Sequence, residues 1–240
     1  MVRSVVPGLL AFALAGIVVL PPVAGQEQSG EKKQEKREGP AKAKAWVHLF
    51  NGKDLTGWEV YPSGTGPWKV EKGILIGTGP KGSHLFTKKD DYRNFRYRIE
   101  AKISDKGNSG QYFRTQFGPA YPKGYEAQIN STHGDPIKTG SLYPAFDPKL
   151  TDEQKKKLLV LKAPHKPDEW FTQEVIADGN HIIIKVNGKK TVDFVDKNNT
   201  YTKGRFALQL HDPSDGVETK VQFRKIEYQP LPPSGTKTAE

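Results

Sequence analysis

From Phe95 to Ile103 the chain alternates without a break. Phe95, Tyr97, Ile99, Ala101 and Ile103 fall on one side, and Arg96, Arg98, Glu100 and Lys102 on the other. A period of two is that of a β-strand with one packed and one wet face. The same period runs through Gly107 to Ile129. It predicts a strand with Tyr112 and Arg114 on one face and Phe113 on the other, then a short loop. A second strand comes next, with Tyr125, Ala127 and Ile129 as its apolar row and Glu126, Gln128 and Asn130 opposite. Residues 169–194 read as three antiparallel strands turned at Asp178-Gly179-Asn180 and Asn187-Gly188, with Ile182, Ile184 and Val186 inward. Between Arg205 and His211 the pattern sends Phe206, Leu208 and Leu210 inward and Arg205, Ala207, Gln209 and His211 outward. Val221, Phe223 and Ile226 make the apolar contacts of a closing strand.

Shorter runs lead into this region. Asn51-Gly52 is a turn, Trp68-Lys69-Val70 and Ile74-Leu75-Ile76 flank a hairpin turn at Glu71-Lys72-Gly73, and His84-Leu85-Phe86 adds a strand. Many short strands with Gly and Asn-Gly punctuation predict an all-β sandwich or barrel. One connection, residues 131–150, is long and polar, as loops lining a site are. Thr151 and Gln154 form a capping box for a short surface helix.

The ends read differently. Arg3 precedes a mostly apolar run from Val5 to Leu20, and small residues at Val23-Ala24-Gly25 complete a signal peptide over residues 1–25. This predicts export, periplasmic or secreted; left uncleaved, the run is an N-terminal membrane anchor, and otherwise no stable membrane insertion is expected. Residues 26–44 contain almost no large apolar side chain and read as a disordered charged linker. The domain then spans 45–232, with a disordered tail at 233–240. The absence of cysteine removes disulfides, zinc–thiolate sites and thiol nucleophiles together. The net charge of +10 falls to +7 beyond residue 44, from 30 Lys and Arg against 23 Asp and Glu, and it is spread rather than clustered. Nucleic acid is therefore not an expected partner. No Gly-x-Gly-x-x-Gly opens a helix after a strand, so no NAD or flavin site is expected.

Nine segments in order carry a resemblance: LFNGKDLTGW, GILIGTG, LFTKKDDYRNFRYRIEAKI, GNSGQYFR, GYEAQI, TGSLY, DEWFTQEV, ALQLHD and VQFRKIEYQPL. Together, over about residues 46–232, they resemble the 3-keto-disaccharide hydrolase family, also described as a 3-keto-glucoside 1,2-lyase and 3-keto-2-hydroxyglucal hydratase domain. The resemblance implies a concanavalin A-like jelly-roll sandwich of two curved antiparallel sheets with its site on the concave face. It also implies a 3-keto sugar substrate and bacterial sugar degradation. The chain departs from shorter members in an insertion at residues 146–166, which leaves substrate size open.

The residues fit that chemistry better than ordinary glycoside hydrolysis. Retaining glycosidases need two carboxyl groups about 5–5.5 Å apart. Sandwich glucanases set them on one strand as Glu-x-Asp-x-x-Glu, whereas the run from Glu126 to Ser131 holds a single carboxylate. A sugar oxidised at C3 has an acidic C2 proton, and its C1 oxygen lies β to the ketone. One base, one group for the enolate oxygen and one proton source then suffice. The expected catalytic set is Glu126 or His211 as base, the other orienting it or binding a metal, with Arg114 stabilising the oxyanion or holding a hydroxyl. Gln128 and Gln209 are expected to hold sugar hydroxyls, Tyr112 shares their face, and Asn108 and Tyr143 sit on loops closing over the ring. No cofactor is required by the pattern. A divalent metal on His211 and Glu126 with Asp212 or Asp135 is the alternative, although no ligand spacing is diagnostic; His84 and His133 read as surface residues. The competing reading is a non-catalytic, lectin-like carbohydrate-binding module gripping a glycan with exposed Trp58, Trp68 or Tyr143. The sequence leaves the oligomeric state open.

Overall fold

The structure is a computed structural model that describes residues 44–232, apart from 65 and 119–120. The signal at 1–25, the linker through residue 43 and the tail at 233–240 lie outside the described residues. The strands β1 (Val47–His48), β2 (Trp58–Tyr61), β3 (Trp68–Glu71), β4 (Ile74–Thr78), β5 (Ser83–Thr87), β6 (Phe95–Ile103), β7 (Asn108–Thr115) and β8 (Tyr125–Asn130) come first. A 3-10 turn (Pro144–Phe146) and the helix α1 (Asp152–Lys156) interrupt the run. The strands β9 (Phe171–Asp178), β10 (His181–Val186), β11 (Lys189–Val195), β12 (Arg205–Leu210) and β13 (Lys220–Pro230) complete it.

One sheet has the order β11-β10-β9-β6-β13-β4-β3, with β1 also on β13, and the other has the order β2-β5-β12-β7-β8. Neighbouring strands pair antiparallel throughout. The expected all-β jelly-roll sandwich of two antiparallel sheets is what the chain forms. Alternation decides what lies between the sheets: every odd-numbered residue of β6 is buried and every even one is not. Tyr97 of β6 stacks on Phe206 of β12 at 4.0 Å, and Phe113 of β7 on Tyr125 of β8 at 5.2 Å. Fully burying one such side chain is worth about 1.5–3 kcal/mol, so these inward rows hold the sheets together. Lys72 and Gly73, and again Asn187 and Gly188, have positive φ at both positions, the geometry of tight two-residue hairpin turns.

Three features of this frame build the site. First, β8 is the end strand of the smaller sheet, but residues 139–143 run along its free edge. The Gln128 N–H donates to the Ser141 carbonyl (3.0 Å), the Gly140 N–H to the Gln128 carbonyl (3.1 Å) and the Tyr143 N–H to the Glu126 carbonyl (2.9 Å). This closes an otherwise open edge and sets Tyr143 beside Glu126. Second, buried Asn130 organises the long connection. Its amide donates to the carbonyls of Asp135 and Ile137, both at 3.0 Å, and its oxygen accepts from the His133 N–H. Third, β7 carries a bulge: Arg205 faces Thr115 but Ala207 faces Tyr112, one extra residue on β7, and Arg114 sits at φ 49°.

The capping box of α1 forms as the sequence predicts, with the Thr151 side chain accepting from the Gln154 N–H and the Gln154 side chain from the Thr151 N–H. The insertion is not wholly superficial, because Phe146, Leu150 and Leu158 reach into the core. Trp58 and Trp68 correct the expectation of exposed rings. They are 4% and 6% exposed, and their indole N–H groups donate to the Leu49 carbonyl and the Ser83 hydroxyl. The packing that buries them leaves no ring face for a glycan.

Candidate active site

On the smaller sheet the side chains that do not face the core form a second, polar surface. In cross-strand register, Gln209 of β12 lies beside His84 of β5, and Tyr112 of β7 beside Glu126 of β8. Phe86, Tyr112 and Ala207 make a small apolar cluster there with Tyr61 packed against it, and Phe117 meets Phe86 and Tyr61 edge-on. The side chains crowd one another, so Tyr112, His84 and Gln209 are only 3–5% exposed.

A chain of hydrogen bonds crosses the surface. The Gln209 amide donates to the Tyr112 hydroxyl (3.2 Å), and that hydroxyl donates to Glu126 Oε2 (2.8 Å). Gly110 makes room for the acid: a Cβ there would lie 2.3 Å from Glu126 Oε1. Glu126 keeps a partly accessible side, but most of its surroundings are protein. Burial pushes its carboxyl up to about 8, Asp135 adds to the rise, and the Tyr112 hydrogen bond opposes it. Among the described residues no cation pairs with it, so no counter-charge offsets the cost of ionising it. Burial and the nearby Glu126 hold the Tyr112 phenol well above its ordinary value, so it remains a donor. Burial, with His211 nearby, brings His84 down to about 4, which keeps it neutral. Tyr143 donates to Asp135 Oδ2 (3.3 Å) and is raised to about 12, chiefly by burial.

Two clefts open on this face, each of about 130 Å³. One is lined by Glu126, Tyr112, Tyr143, Lys123 and Tyr201, the other by His84, Gln209, His211 and Asp212, and Tyr121 lines both.

The structure thus gathers Glu126, Tyr112, Gln209 and Tyr143, all expected at the site. Gln128 shares the polar row, with its oxygen accepting from the Ile129 N–H. Asn108 belongs to β7 rather than to a loop; it is buried, and its side-chain oxygen has no hydrogen-bond partner among the described residues. His211 reaches the same face but not Glu126: its Nδ1 meets the Asp212 carbonyl at 2.8 Å, and no hydrogen bond or ion pair joins it to the acid. The expected pairing of imidazole and carboxylate is therefore absent.

Arg114 is the clear correction. The bulge rotates it off the Tyr112 face, and its buried guanidinium donates to the Arg93 carbonyl (2.9 and 2.6 Å) and the Tyr201 carbonyl (3.2 Å). It fastens two loops to the sheet and lines a different cavity of about 470 Å³, which shares no lining residue with either cleft. His84 corrects the surface reading, because it is buried at the floor of a cleft. His133 is half-buried, and its buried Nε2 has no partner among the described residues. Tyr121 and Lys123 line the clefts, which alternation does not reveal. An aromatic directly before Pro122 is a faint signal for the first, and the strand pairing that places His84 leaves none. Among the described residues, no group of three or more His, Cys, Asp or Glu side chains is arranged to hold a metal ion. Glu126 and His211, the residues of the metal alternative, line different clefts.

A jelly-roll sandwich with a lone buried acid on the outer face of its smaller sheet is the class of protein these features define. The chain belongs to the family described as the 3-keto-alpha-glucoside-1,2-lyase-like domain, whose model matches residues 45–229. A 3-keto-disaccharide hydrolase of Bacteroides thetaiotaomicron is 30% identical over 88 residues, a match spanning 32% of this chain and 30% of that protein. The chain therefore matches under a third of that relative's length. A crystal structure of a Parabacteroides distasonis protein, provisionally named a glycosyl hydrolase, superposes with a TM-score of 0.58 at 26% identity, covering 78% of this chain and 94% of that one. A lichenase from a mouse hindgut metagenome shares the fold at 15% identity and a TM-score of 0.55, over 79% of this chain and all of that one.

Proposed function

We propose that this protein cleaves 3-keto-glycosides or 3-keto-disaccharides by elimination, with Glu126 as the base. The observation that carries the reading is the carboxyl of Glu126, raised to about 8, held by the Tyr112–Gln209 chain and, among the described residues, paired with no cation. A carboxylate released from such a site is a far stronger base than an exposed one, and its affinity for protons is matched to operation near neutral pH. Glu126 removes the C2 proton, the electrons move through the enolate of the C3 ketone, and the C1–oxygen bond breaks. The departing oxygen takes up the proton Glu126 has gained, which restores the base, and water then adds across the C1–C2 double bond of the enone to give the free keto-sugar. With Arg114 turned away, the developing enolate charge falls to Lys123, a cation lining the Glu126 cleft. Family membership and the relative's printed name support a sugar substrate. The signal-like residues 1–25 add that the reaction takes place after export, periplasmic or extracellular. A divalent metal, if one serves the ketone, would have to be held by ligands other than a His211–Glu126 pair.

The test is incubation of the purified protein with a 3-keto-glucoside and with its unoxidised parent, followed by NMR identification of products. The reading expects an enone or free 3-keto-glucose from the first and nothing from the second. Saturable binding of glycans with no conversion of the oxidised one would instead make this a lectin-like binding module.

A further inference from the structure

Resting on the reaction above, we propose that the cleft floored by His84 and Gln209 and edged by His211 and Asp212 is a second sugar subsite. It receives the unoxidised sugar that leaves, while the oxidised ring lies over Glu126. Tyr121 is the partition between the two.

Three geometric observations converge. The clefts have the same volume, about 130 Å³, below the roughly 300–1,000 Å³ of pockets for drug-sized ligands, which is the scale of one sugar ring rather than two. Tyr121 lines both and is 77% exposed, an aromatic face open to a ligand from either side. The hydrogen-bond chain joins them, since Gln209 lines one cleft and its partners Tyr112 and Glu126 line the other. A substrate bridging the clefts therefore lays its inter-sugar oxygen across the relay, next to the carbon Glu126 deprotonates.

The lining also suits a neutral polyol. His84 is buried, and its Nε2 has no partner among the described residues. A buried polar atom left alone is a net cost to the fold, which a ligand hydroxyl removes. Gln209 offers amide donors and an acceptor, and Asp212 and His211 stand at the rim. The described residues lining this cleft include no lysine or arginine, so an anionic leaving group finds no counter-charge among them. The rim is built on main chain: Asp212 Oδ1 accepts from the Gly82 N–H at 2.7 Å, and the His211 N–H donates to the Asn108 carbonyl at 3.3 Å.

The experiment compares kcat/KM for a 3-keto-disaccharide with that for a methyl 3-keto-glucoside, in wild type, Tyr121→Ala and His211→Ala, whose side chains are accessible enough to be truncated without unfolding the sheet. The expected result is a tenfold or greater fall in the disaccharide-to-methyl ratio in both variants, mainly through KM, with added glucose competing against the disaccharide in wild type. An unchanged ratio in both variants, or no wild-type preference for the disaccharide, overturns the subsite and leaves the reaction standing. If neither substrate turns over but glucose still shifts the His84 and His211 NMR signals, the subsite stands and the reaction falls. If glucose shifts nothing either, both fall.

Discussion

Acids on the outer face of the larger sheet pair with cations, and on the smaller sheet Glu59 does the same with Arg205, whereas Glu126 does not. On the larger sheet, Arg96 pairs with Glu174 at 2.6 Å, Arg98 with Glu227 at 2.5 Å, and Glu100 takes Arg224 and Lys225, both at 2.6 Å. Trp46 and Trp170 lie over these guanidinium groups at 4.1–5.2 Å and cover them. On the smaller sheet Glu126 meets a phenol and, among the described residues, no cation. Burial raises both Glu100 and Glu126, but the hydrogen bonds and charges of Lys225 and Arg224 outweigh it at Glu100, whose carboxyl ends below its ordinary value. At Glu126 burial wins. A strongly raised carboxyl with no cation beside it marks a candidate for proton transfer, which a paired one does not.

Exchanging groups between these two regimes gives predictions of decreasing size. Glu126→Gln keeps the shape and the Tyr112 contact but removes the base. Turnover of a 3-keto-glucoside is expected to fall about 10³-fold, roughly 4 kcal/mol, with circular dichroism unchanged. Replacing the buried cation comes next. Arg114→Met strands the Arg93 and Tyr201 carbonyls, and denaturant unfolding should show a loss of about 3 kcal/mol, while turnover per folded molecule stays within about threefold.

Third is a pH test of stability. Glu126 loses its proton near 4.3 when unfolded and near 8 when folded, so its stabilising contribution is complete below pH 4 and is lost as pH rises toward 8. The whole shift would amount to about 5 kcal/mol; with solvent reaching one side of the carboxyl, Glu126→Gln should match wild type near pH 4 and exceed it at pH 9 by about 2 kcal/mol, some 4–8 °C in Tm. The ascending limb of kcat/KM should lie in that same window, near pH 8, and disappear with the substitution. The smallest effect belongs to the larger sheet. Glu100→Gln is expected to cost about 1 kcal/mol or less at pH 7, an effect that vanishes as pH falls below the usual carboxylate range, because the pair it breaks is screened by solvent.

Strand by strand, most of the fold was legible. The inward rows of β6, β8, β10 and β12 and the hairpin turns at Lys72-Gly73 and Asn187-Gly188 follow from alternation and from residues tolerating positive φ. That Glu126, Tyr112 and Gln209 share one face was legible for the same reason. Arg114 was not, because one extra residue in β7 reverses the face of the residues beyond it. That bulge is specified by the approach of the chain entering β12: a Cβ on Gly204 would lie 2.4 Å from the Arg114 carbonyl carbon. His84 was misread because its burial comes from residues distant in sequence, among them Tyr112 of β7, whose ring meets it edge-on at 5.2 Å.

Sequence alone therefore determined which side chains each strand turns inward, the turns between them and the family to which they belong, all of which depend on near neighbours along the chain. Tertiary structure decided which strands lie side by side, and hence that Glu126 meets Tyr112 and Gln209 rather than a histidine and an arginine. It also decided the proton affinity of that acid, because desolvation depends on everything folded around a group and on very little of what adjoins it in the chain.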